Sequence, residues 1–382
     1  MKRNINLIFI TIFLLCISLP YLFAHRMTEG RISTMENRTL SGYPSLRLED
    51  GRLNTEYPAQ YEAWLNDNLR GRTILVEANS ALQYQLFHRI VKSDTIEGQD
   101  HWFFASDPKQ MVEYQHLNLL SEENLNLYAA NMQGISNYLK ERGISFYYFQ
   151  CYDKETIYPE KYVTGVNQIG NISRTDQILS SLQEKTDVKQ ISVKETLLDH
   201  ADEKIYFHSV DLIHWNMKGA YLGYQVLIQE LQNDYDQIPL LTESDFLITE
   251  KEETAELYGF QFPYSESYPV YTLKEPHAVE ITNQTTDKWD FLHFKEHTHE
   301  YVNESCENNL RILVLGDSFI RMYIKDKIAE SFYETLSIDW LNIPILDEVV
   351  EEYQPDIVII ESDQSALNDT IGLINQVDFI EK

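Results

Sequence analysis

Apolar residues along the chain alternate between short runs typical of buried strands and longer stretches with helical spacing. The segments predicted as strands are 144–149, 189–193, 311–315 and 356–360. The segments predicted as helices are 61–89, 121–142, 176–184, 219–232 and 328–336. Because apolar strands are separated by helices, the pattern predicts an α/β fold with a parallel sheet covered on both faces.

Two regions do not follow this alternation. Residues 26–58 are polar and irregular, as expected of a stalk, and residues 239–309 contain alternating segments that predict a small β-rich insertion. The predicted organisation is therefore a membrane segment at 1–26, a stalk and helical region at 27–95, and a catalytic domain at 96–382 that includes the insertion.

The N-terminus carries a candidate membrane segment. Lys2 and Arg3 precede an apolar stretch over residues 7–24, and about 20 apolar residues span a bilayer. The leading positive charges favour a cytoplasmic start. We therefore expect a single-pass transmembrane anchor with the catalytic domain outside the cytoplasm. Signal cleavage after Ala24, giving a secreted or periplasmic protein, is the alternative.

The composition argues against several classes of function. With 60 acidic against 31 basic residues the formal net charge is −29, so no nucleic-acid partner is expected. No Cys-x-x-Cys spacing suggests a redox or metal centre, and Cys151 and Cys306 could form one disulfide or remain two buried thiols.

The sharpest chemical signal follows the predicted strand 311–315. Gly316, Asp317 and Ser318 come directly after it and precede a helix. A serine delivered by a buried strand into such a turn can act as a nucleophile, and backbone N–H groups of the turn can bind an oxyanion. The alternative is an Asp or Ser that only caps the next helix.

A serine nucleophile needs a base, usually a histidine oriented by a carboxylate. Among the eleven histidines, His214 stands three residues after Asp211 and is followed by Trp215. At this spacing the carboxylate can hold the imidazole in one tautomer. The alternative is an Asp that caps a helix beside a packed His–Trp pair.

Polar residues also follow two other predicted strands, at 150–154 and 361–363. Function gathers at the carboxyl ends of parallel strands, so these segments are expected to border the same site. The segment 293–299 contains His293, Glu296, His297 and His299, but it is predicted to be an exposed strand. No metal site and no cofactor are predicted.

At this point the chain resembles the SGNH-superfamily proteins of alginate O-acetylation and their relatives, often called the DHHW family. The resemblance covers about residues 30–365. It rests on an ordered set of segments: Glu36-Asn37-Arg38-Thr39-Leu40, Asn66-Asp67-Asn68-Leu69-Arg70-Gly71-Arg72, Gly98-Gln99-Asp100-His101-Trp102, Lys154-Glu155-Thr156-Ile157-Tyr158-Pro159, Asp211 to Asn216, Gly316-Asp317-Ser318-Phe319 and Gln354-Pro355-Asp356.

The resemblance implies a circularly permuted SGNH-hydrolase-like α/β/α sandwich, in which the Asp and His precede the Ser. It implies Ser318, His214 and Asp211 as the catalytic residues. Candidates for binding the oxyanion or substrate are Gly316, Asp317, Trp215 and Lys154. The family pattern has one residue between Asp and His and this chain has two, so either the turn accommodates the extra residue or the acid comes from elsewhere.

The resulting hypothesis is an extracytoplasmic O-acetyltransferase that acts on a cell-surface or exported polysaccharide through an acetyl-serine intermediate. The resemblance implies a polysaccharide acceptor and an acetyl donor supplied by a membrane-bound acyltransferase. Two alternatives remain open: a carbohydrate esterase with the same site, and a catalytically silent glycan-binding scaffold in an export complex.

Overall fold

The computed structural model describes residues 2–22, 32–33, 38–48, 50–69, 72–91, 94–257 and 260–379 of the 382-residue chain. Its helices are α1 Lys2–Leu22, α2 Tyr57–Asn68, α3 Arg72–Phe87, α4 Pro108–Tyr114, α5 Glu122–Lys140, α6 Lys154–Ile157, α7 Arg174–Lys185, α8 Lys194–Asp199, α9 Met217–Gln232, α10 Ser318–Tyr323, α11 Lys325–Ser331, α12 Leu346–Tyr353 and α13 Leu367–Ile374.

The strands are mostly short. They are β1 Ile32–Ser33, β2 Arg38–Thr39, β3 Thr95–Glu97, β4 Phe103–Ala105, β5 Ser145–Gln150, β6 Lys189–Ser192, β7 Phe246–Leu257, β8 Phe260–Leu273, β9 Val279–Glu280, β10 His299–Val302, β11 Arg311–Gly316, β12 Glu334–Asp339 and β13 Ile357–Ser362. The four strands predicted from the sequence correspond to β5, β6, β11 and β13.

The central sheet has seven strands in the order β6-β5-β13-β11-β12-β10-β9. The five strands from β6 to β12 are parallel. β10 and β9 add antiparallel strands at one edge, so the sheet is mixed rather than wholly parallel as predicted. The register aligns Gly316 with Asp339 and Ser362 with Gln150, which brings the carboxyl ends of four strands to one edge.

Helices cover both faces of this sheet. Alternate residues of the central strands, such as Val314 and Leu313, belong to two separate hydrophobic clusters. One cluster includes residues of α9 and α10, and the other includes residues of α5, α7 and α12. Because side chains of a strand point alternately to its two faces, the architecture is an α/β/α sandwich, in agreement with the prediction.

Strand β12 was missed by the sequence analysis, which predicted a helix over 328–336. The helix α11 ends at Ser331, and β12 begins at Glu334. Only Leu336 and Ile338 supply apolar side chains to this strand, whereas Thr335 and Ser337 are buried polar residues. Apolar periodicity therefore gave too short a signal to separate strand from helix.

The chain divides into two compact units. One comprises residues 94–253 and 265–382 and contains the central sheet; the other comprises residues 1–93 and 254–264. β7 and β8 form a two-stranded sheet of their own, here called the β7–β8 hairpin. Cys151 and Cys306 are buried free thiols.

In the smaller unit, two helices replace the single helix predicted for residues 61–89. α2 ends where Leu69 adopts extended backbone with ψ 121°. The Asn68 amide donates to the Trp64 carbonyl at 2.8 Å and to the Ser41 carbonyl at 3.2 Å, which ties this helix end to the preceding segment. Residues 70 and 71 lie outside the described residues.

The N-terminal segment forms helix α1, Lys2–Leu22. Across the ranges that the structure describes, no helix combines the length and apolar character needed to cross a membrane. Residues 23–31 and 34–37, which include the end of the predicted anchor and parts of the predicted stalk, lie outside the described residues.

Candidate active site

Ser318 lies where the buried strand β11 passes into helix α10. Asp317 is the N-cap of that helix, and its Oδ1 accepts from the Phe319 amide at 2.8 Å. Ser318 is the first helical residue. The Asp therefore does cap the helix, and the same turn brings the serine hydroxyl to the carboxyl edge of the sheet.

The structure brings together the three residues predicted to be catalytic. Ser318 Oγ lies 2.7 Å from His214 Nε2. His214 Nδ1 lies 3.0 and 2.9 Å from the two carboxylate oxygens of Asp211. Because an ionised carboxylate only accepts hydrogen bonds, Nδ1 carries the proton and Nε2 is left to accept from the serine hydroxyl. This arrangement suits proton removal from Ser318.

Asp211 is fixed by its own turn. Its Oδ1 accepts from the backbone amides of Ile213 at 2.8 Å and His214 at 2.9 Å. The turn thus accommodates the two residues between Asp and His. Burial opposes ionisation of this carboxyl, but the hydrogen bonds and charge of His214 outweigh it and hold the pKa of Asp211 well below its usual range.

Tyr323 is a neighbour that the sequence analysis missed. Its hydroxyl donates to Asp211 Oδ2 at 3.3 Å, and its ring centroid lies 5.3 Å from that of His214. Burial and the Asp211 charge raise the pKa of Tyr323 above its ordinary value, so it remains a donor. The sequence feature that could have identified Tyr323 is its position five residues after Ser318, in the same short helix.

Gly316 and Asp317 support the turn rather than face outward. A Cβ at Gly316 would lie 2.9 Å from Ile320 Cγ1 and 3.0 Å from Glu361 Oε2, so only glycine allows this approach. The Asp317 amide already donates to Glu361 Oε2 at 2.9 Å. It is therefore engaged within the protein, contrary to its predicted role in binding an oxyanion. The Ser318 amide, as the first of α10, has no acceptor within the helix.

Trp215 is a core residue, not a substrate contact. Its side chain is fully buried, and its ring lies 5.1 Å from that of Phe319. A Cβ at Gly223 would lie 2.6 Å from the indole, which shows how closely α9 packs on this ring. The prediction that Trp215 binds substrate is therefore wrong, because a fully enclosed ring offers no face to a ligand.

Lys154 is likewise buried, and it contacts the backbone that carries Asp211. Its Nζ donates to the carbonyls of Phe207 and Asp211, each at 2.7 Å. Burial lowers the pKa of Lys154 to about 8. Its predicted contact with substrate is corrected to a structural one, because all of its side chain lies inside the protein.

Buried carboxyl groups lie next to the turn at residues 316–318. Asp317 Oδ2 accepts from the Asp363 amide at 2.9 Å, and Glu361 is fully buried beside them. Burial, together with the charge of Asp317, raises the pKa of Glu361 well above its usual value and that of Asp363 to about 7. Burial also raises the pKa of Glu155 to about 7.

These shifts predict that the protein is more stable at mildly acidic pH. A carboxyl group whose folded pKa is raised contributes stability that is complete below its unfolded pKa of about 4 and is lost as the pH rises through its folded pKa. For Asp363 and Glu155 the loss runs from about pH 4 up to the folded pKa of about 7. We expect the melting temperature to fall by roughly 5 °C between pH 5 and pH 8.

Thermal unfolding at constant ionic strength measures this dependence. Self-repulsion at a net charge of −29 acts in the same direction, and Asp363→Asn separates the two effects. The variant should melt with a shallower dependence on pH, because residue 363 no longer titrates. A melting temperature that is highest at pH 8, or an identical slope in Asp363→Asn, contradicts the assignment.

Within the described ranges, no group of three or more His, Cys, Asp or Glu side chains is arranged to hold a metal ion. Two of the clustered histidines are paired with separate carboxylates. His297 Nδ1 lies 2.7 Å from Asp339, and His299 Nδ1 lies 2.8 Å from Glu280. These two histidines therefore contact separate carboxylates and do not share one centre.

Solved structures share this fold. Bacillus cereus PatB1 superimposes with a TM-score of 0.53 at 17% identity, covering 72% of this chain and 97% of that chain. The same protein with a sulfonyl adduct gives 0.54 at 19% identity, with 73% and 99% coverage. A DHHW family protein from Eubacterium siraeum gives 0.51 at 14% identity, covering 75% of this chain and 97% of its own. No curated protein sequence matches the chain significantly.

A family model also matches the sequence. Residues 95–290 match the SGNH hydrolase-like domain of the acetyltransferase AlgX, which is slightly more than half of the chain. The matched range contains Asp211 and His214 and ends before Ser318. The resemblance inferred from the motifs is confirmed, and the chain belongs to the SGNH-hydrolase-like acetyltransferase family of AlgX.

Proposed function

We propose that this protein is an O-acetyltransferase that acts outside the cytoplasm on a cell-surface or exported polysaccharide, through an acetyl group carried on Ser318. The observation that carries the proposal is the continuous chain of contacts from Ser318 Oγ to His214 Nε2 at 2.7 Å and from His214 Nδ1 to Asp211 at 2.9 Å. Membership of the AlgX acetyltransferase family supports the same reaction class.

In the first half-reaction, Nε2 of His214 takes the proton of Ser318 Oγ as the oxygen attacks the acetyl carbonyl of the donor. The Asp211 carboxylate stabilises the imidazolium that forms. The Ser318 amide is the candidate donor to the carbonyl oxygen as it gains negative charge. The imidazolium then returns the proton to the leaving group, and acetyl-Ser318 remains.

In the second half-reaction, a sugar hydroxyl gives its proton to His214 and attacks the acetyl carbon. Collapse of the tetrahedral intermediate forms the sugar ester, and Ser318 Oγ recovers the proton from the imidazolium. Water in place of the sugar would release acetate. The acetyl donor is expected to be supplied by a membrane-bound acyltransferase, as the resemblance to the alginate O-acetylation proteins implies.

Product analysis tests this proposal. The purified full-length chain is incubated with an activated aryl acetate, with and without soluble oligosaccharides, and the glycans are analysed by mass spectrometry. Glycan that gains the mass of an acetyl group supports the transferase. Aryl release that yields only free acetate, even at high glycan concentration, identifies an esterase. Glycan binding without turnover of several donors would favour the scaffold alternative.

A further inference from the structure

The loop that carries Asp211 has no regular secondary structure to hold it. Residues 207–211, here called the acid loop, follow an isolated bridge between Tyr206 and Trp215 and belong to neither a helix nor a strand. Buried backbone groups outside regular structure need partners elsewhere in the protein. The position of the Asp211 carboxylate therefore depends on whatever binds the backbone of this loop.

The amides of the acid loop converge on one carboxylate oxygen. Oε2 of Glu266, in strand β8, accepts from the amides of His208 at 2.9 Å and Val210 at 3.3 Å, and also from the amide of Ser209. The Ser209 hydroxyl donates to the same oxygen at 2.9 Å. Consecutive amides that point at one centre form an anion-binding concavity, and here a side chain of the same protein occupies it.

The carbonyls of the acid loop are bound from another element. The Lys154 ammonium, at the start of α6, donates to the first and last carbonyls of the loop, those of Phe207 and Asp211, each at 2.7 Å. Glu266 is 3% exposed and Lys154 is fully buried. Glu266 thus accepts from three amides of the acid loop, and Lys154 donates to two of its carbonyls.

The hydrogen bonds of Glu266 reach the backbone of residues 208–210, so we expect its influence on the reaction to pass through the acid loop. Charge-assisted hydrogen bonds are about twice as strong as neutral ones, and several converge on this one group. Displacing a reacting group by about 1 Å can reduce a rate by about 100-fold. The contact between Asp211 and His214 Nδ1 at 2.9 Å is the geometry that such a displacement would break.

We propose that Glu266, supplied by the β7–β8 hairpin, is a positioning residue that holds the acid loop so that Asp211 orients His214. The inference rests on the proposed acyl transfer, and it gives the hairpin a role in the active site. No local sequence pattern indicated it, because Glu266 lies 52 positions from His214 in a separate strand.

The first test compares Glu266→Ala and Glu266→Gln with Glu252→Gln. Glu252 is a matched control, since it is exposed on the same hairpin and its Oε1 accepts from Ser265 Oγ at 2.7 Å. We expect kcat for an aryl acetate to fall about 100-fold in Glu266→Ala, less in Glu266→Gln, with KM changed only a few-fold. Glu252→Gln should match the wild type.

An NMR measurement tests whether Glu266 positions His214 and Asp211, independently of the reaction rate. The proton shared between His214 Nδ1 and Asp211 should give a strongly deshielded NMR resonance, assigned by its absence in Asp211→Asn. We expect this resonance to shift or broaden in both Glu266 variants and to persist in Glu252→Gln. If the wild type shows no Ser318-dependent turnover, the proposed function fails, while this resonance still decides the role of Glu266.

A double-mutant cycle gives the sharpest test. If Glu266 acts only through Asp211, adding Glu266→Ala to Asp211→Asn should cost little further rate, whereas independent losses multiply. Glu266→Gln serves if the alanine variant does not fold. Unchanged kcat and an unchanged resonance in a folded Glu266 variant, or losses that multiply in the cycle, would overturn the inference.

Discussion

Ser318→Ala is expected to abolish both the acetyl adduct and ester turnover, lowering kcat by about a million-fold as nucleophile removal does in serine hydrolases. In the proposed mechanism the hydroxyl oxygen forms the covalent bond, and His214 Nε2, 2.7 Å away, takes its proton. Intact-mass analysis after brief exposure to an aryl acetate, together with aryl release under saturating substrate, measures both effects.

The folded state of this variant is checked by its melting temperature, because the methyl side chain should leave the turn unchanged. Ser265→Ala is the matched control: Ser265 is exposed on β8, and its hydroxyl donates to Glu252. It should keep full activity and a full adduct. Turnover in a folded Ser318→Ala protein that stays within tenfold of the wild type would rule out the acetyl-serine route.

Asp211→Asn should lower kcat by about 10,000-fold while leaving the fold intact, by analogy with the same change in a Ser-His-Asp site. The amide oxygen of Asn can still accept from the backbone amides of Ile213 and His214, which are 2.8 and 2.9 Å from Oδ1. Its NH₂ group would face Nδ1, however, and would favour the tautomer with the proton on Nε2. That tautomer cannot accept the Ser318 proton.

Tyr323→Phe is the comparison for this prediction. It removes only the 3.3 Å hydrogen bond to Asp211 Oδ2, so we expect a loss of a few-fold. Steady-state kinetics with the same ester measures both variants. A loss below tenfold in Asp211→Asn would mean that another acid orients His214, and Asp363, whose charge acts on the same region, would be examined next.

Several polar residues at the carboxyl edge of the sheet bind backbone groups of the protein and do not face a substrate. Glu361 accepts from the Asp317 amide, and Asp317 accepts from the amides of Phe319 and Asp363. Lys154 donates to carbonyls of the acid loop. Each lies inside the protein. Proximity to the candidate nucleophile Ser318 is therefore a poor guide to which polar residue would contact a substrate.

The strands that build the site could be predicted because their signal is local. β11 and β13 contain apolar runs that are buried on both faces. Such runs are typical of the strands of a parallel sheet covered on both sides. Strand β12 lacked that signal, since only Leu336 and Ile338 are apolar in it and they alternate with the buried polar residues Thr335 and Ser337. The break between α2 and α3 was also hidden, because Leu69 lies within a continuous helical spacing.

By itself, the sequence determined the layered α/β fold and the identity of Ser318, His214 and Asp211 as one candidate group, because strand pattern, motif spacing and chain order are all properties of neighbouring residues. Only the tertiary structure decided that Trp215 and Lys154 are enclosed rather than exposed to substrate. It alone placed Glu266 against the acid loop. Burial and hydrogen-bond partners depend on segments distant in sequence, and no spacing along the chain encodes which segments will meet.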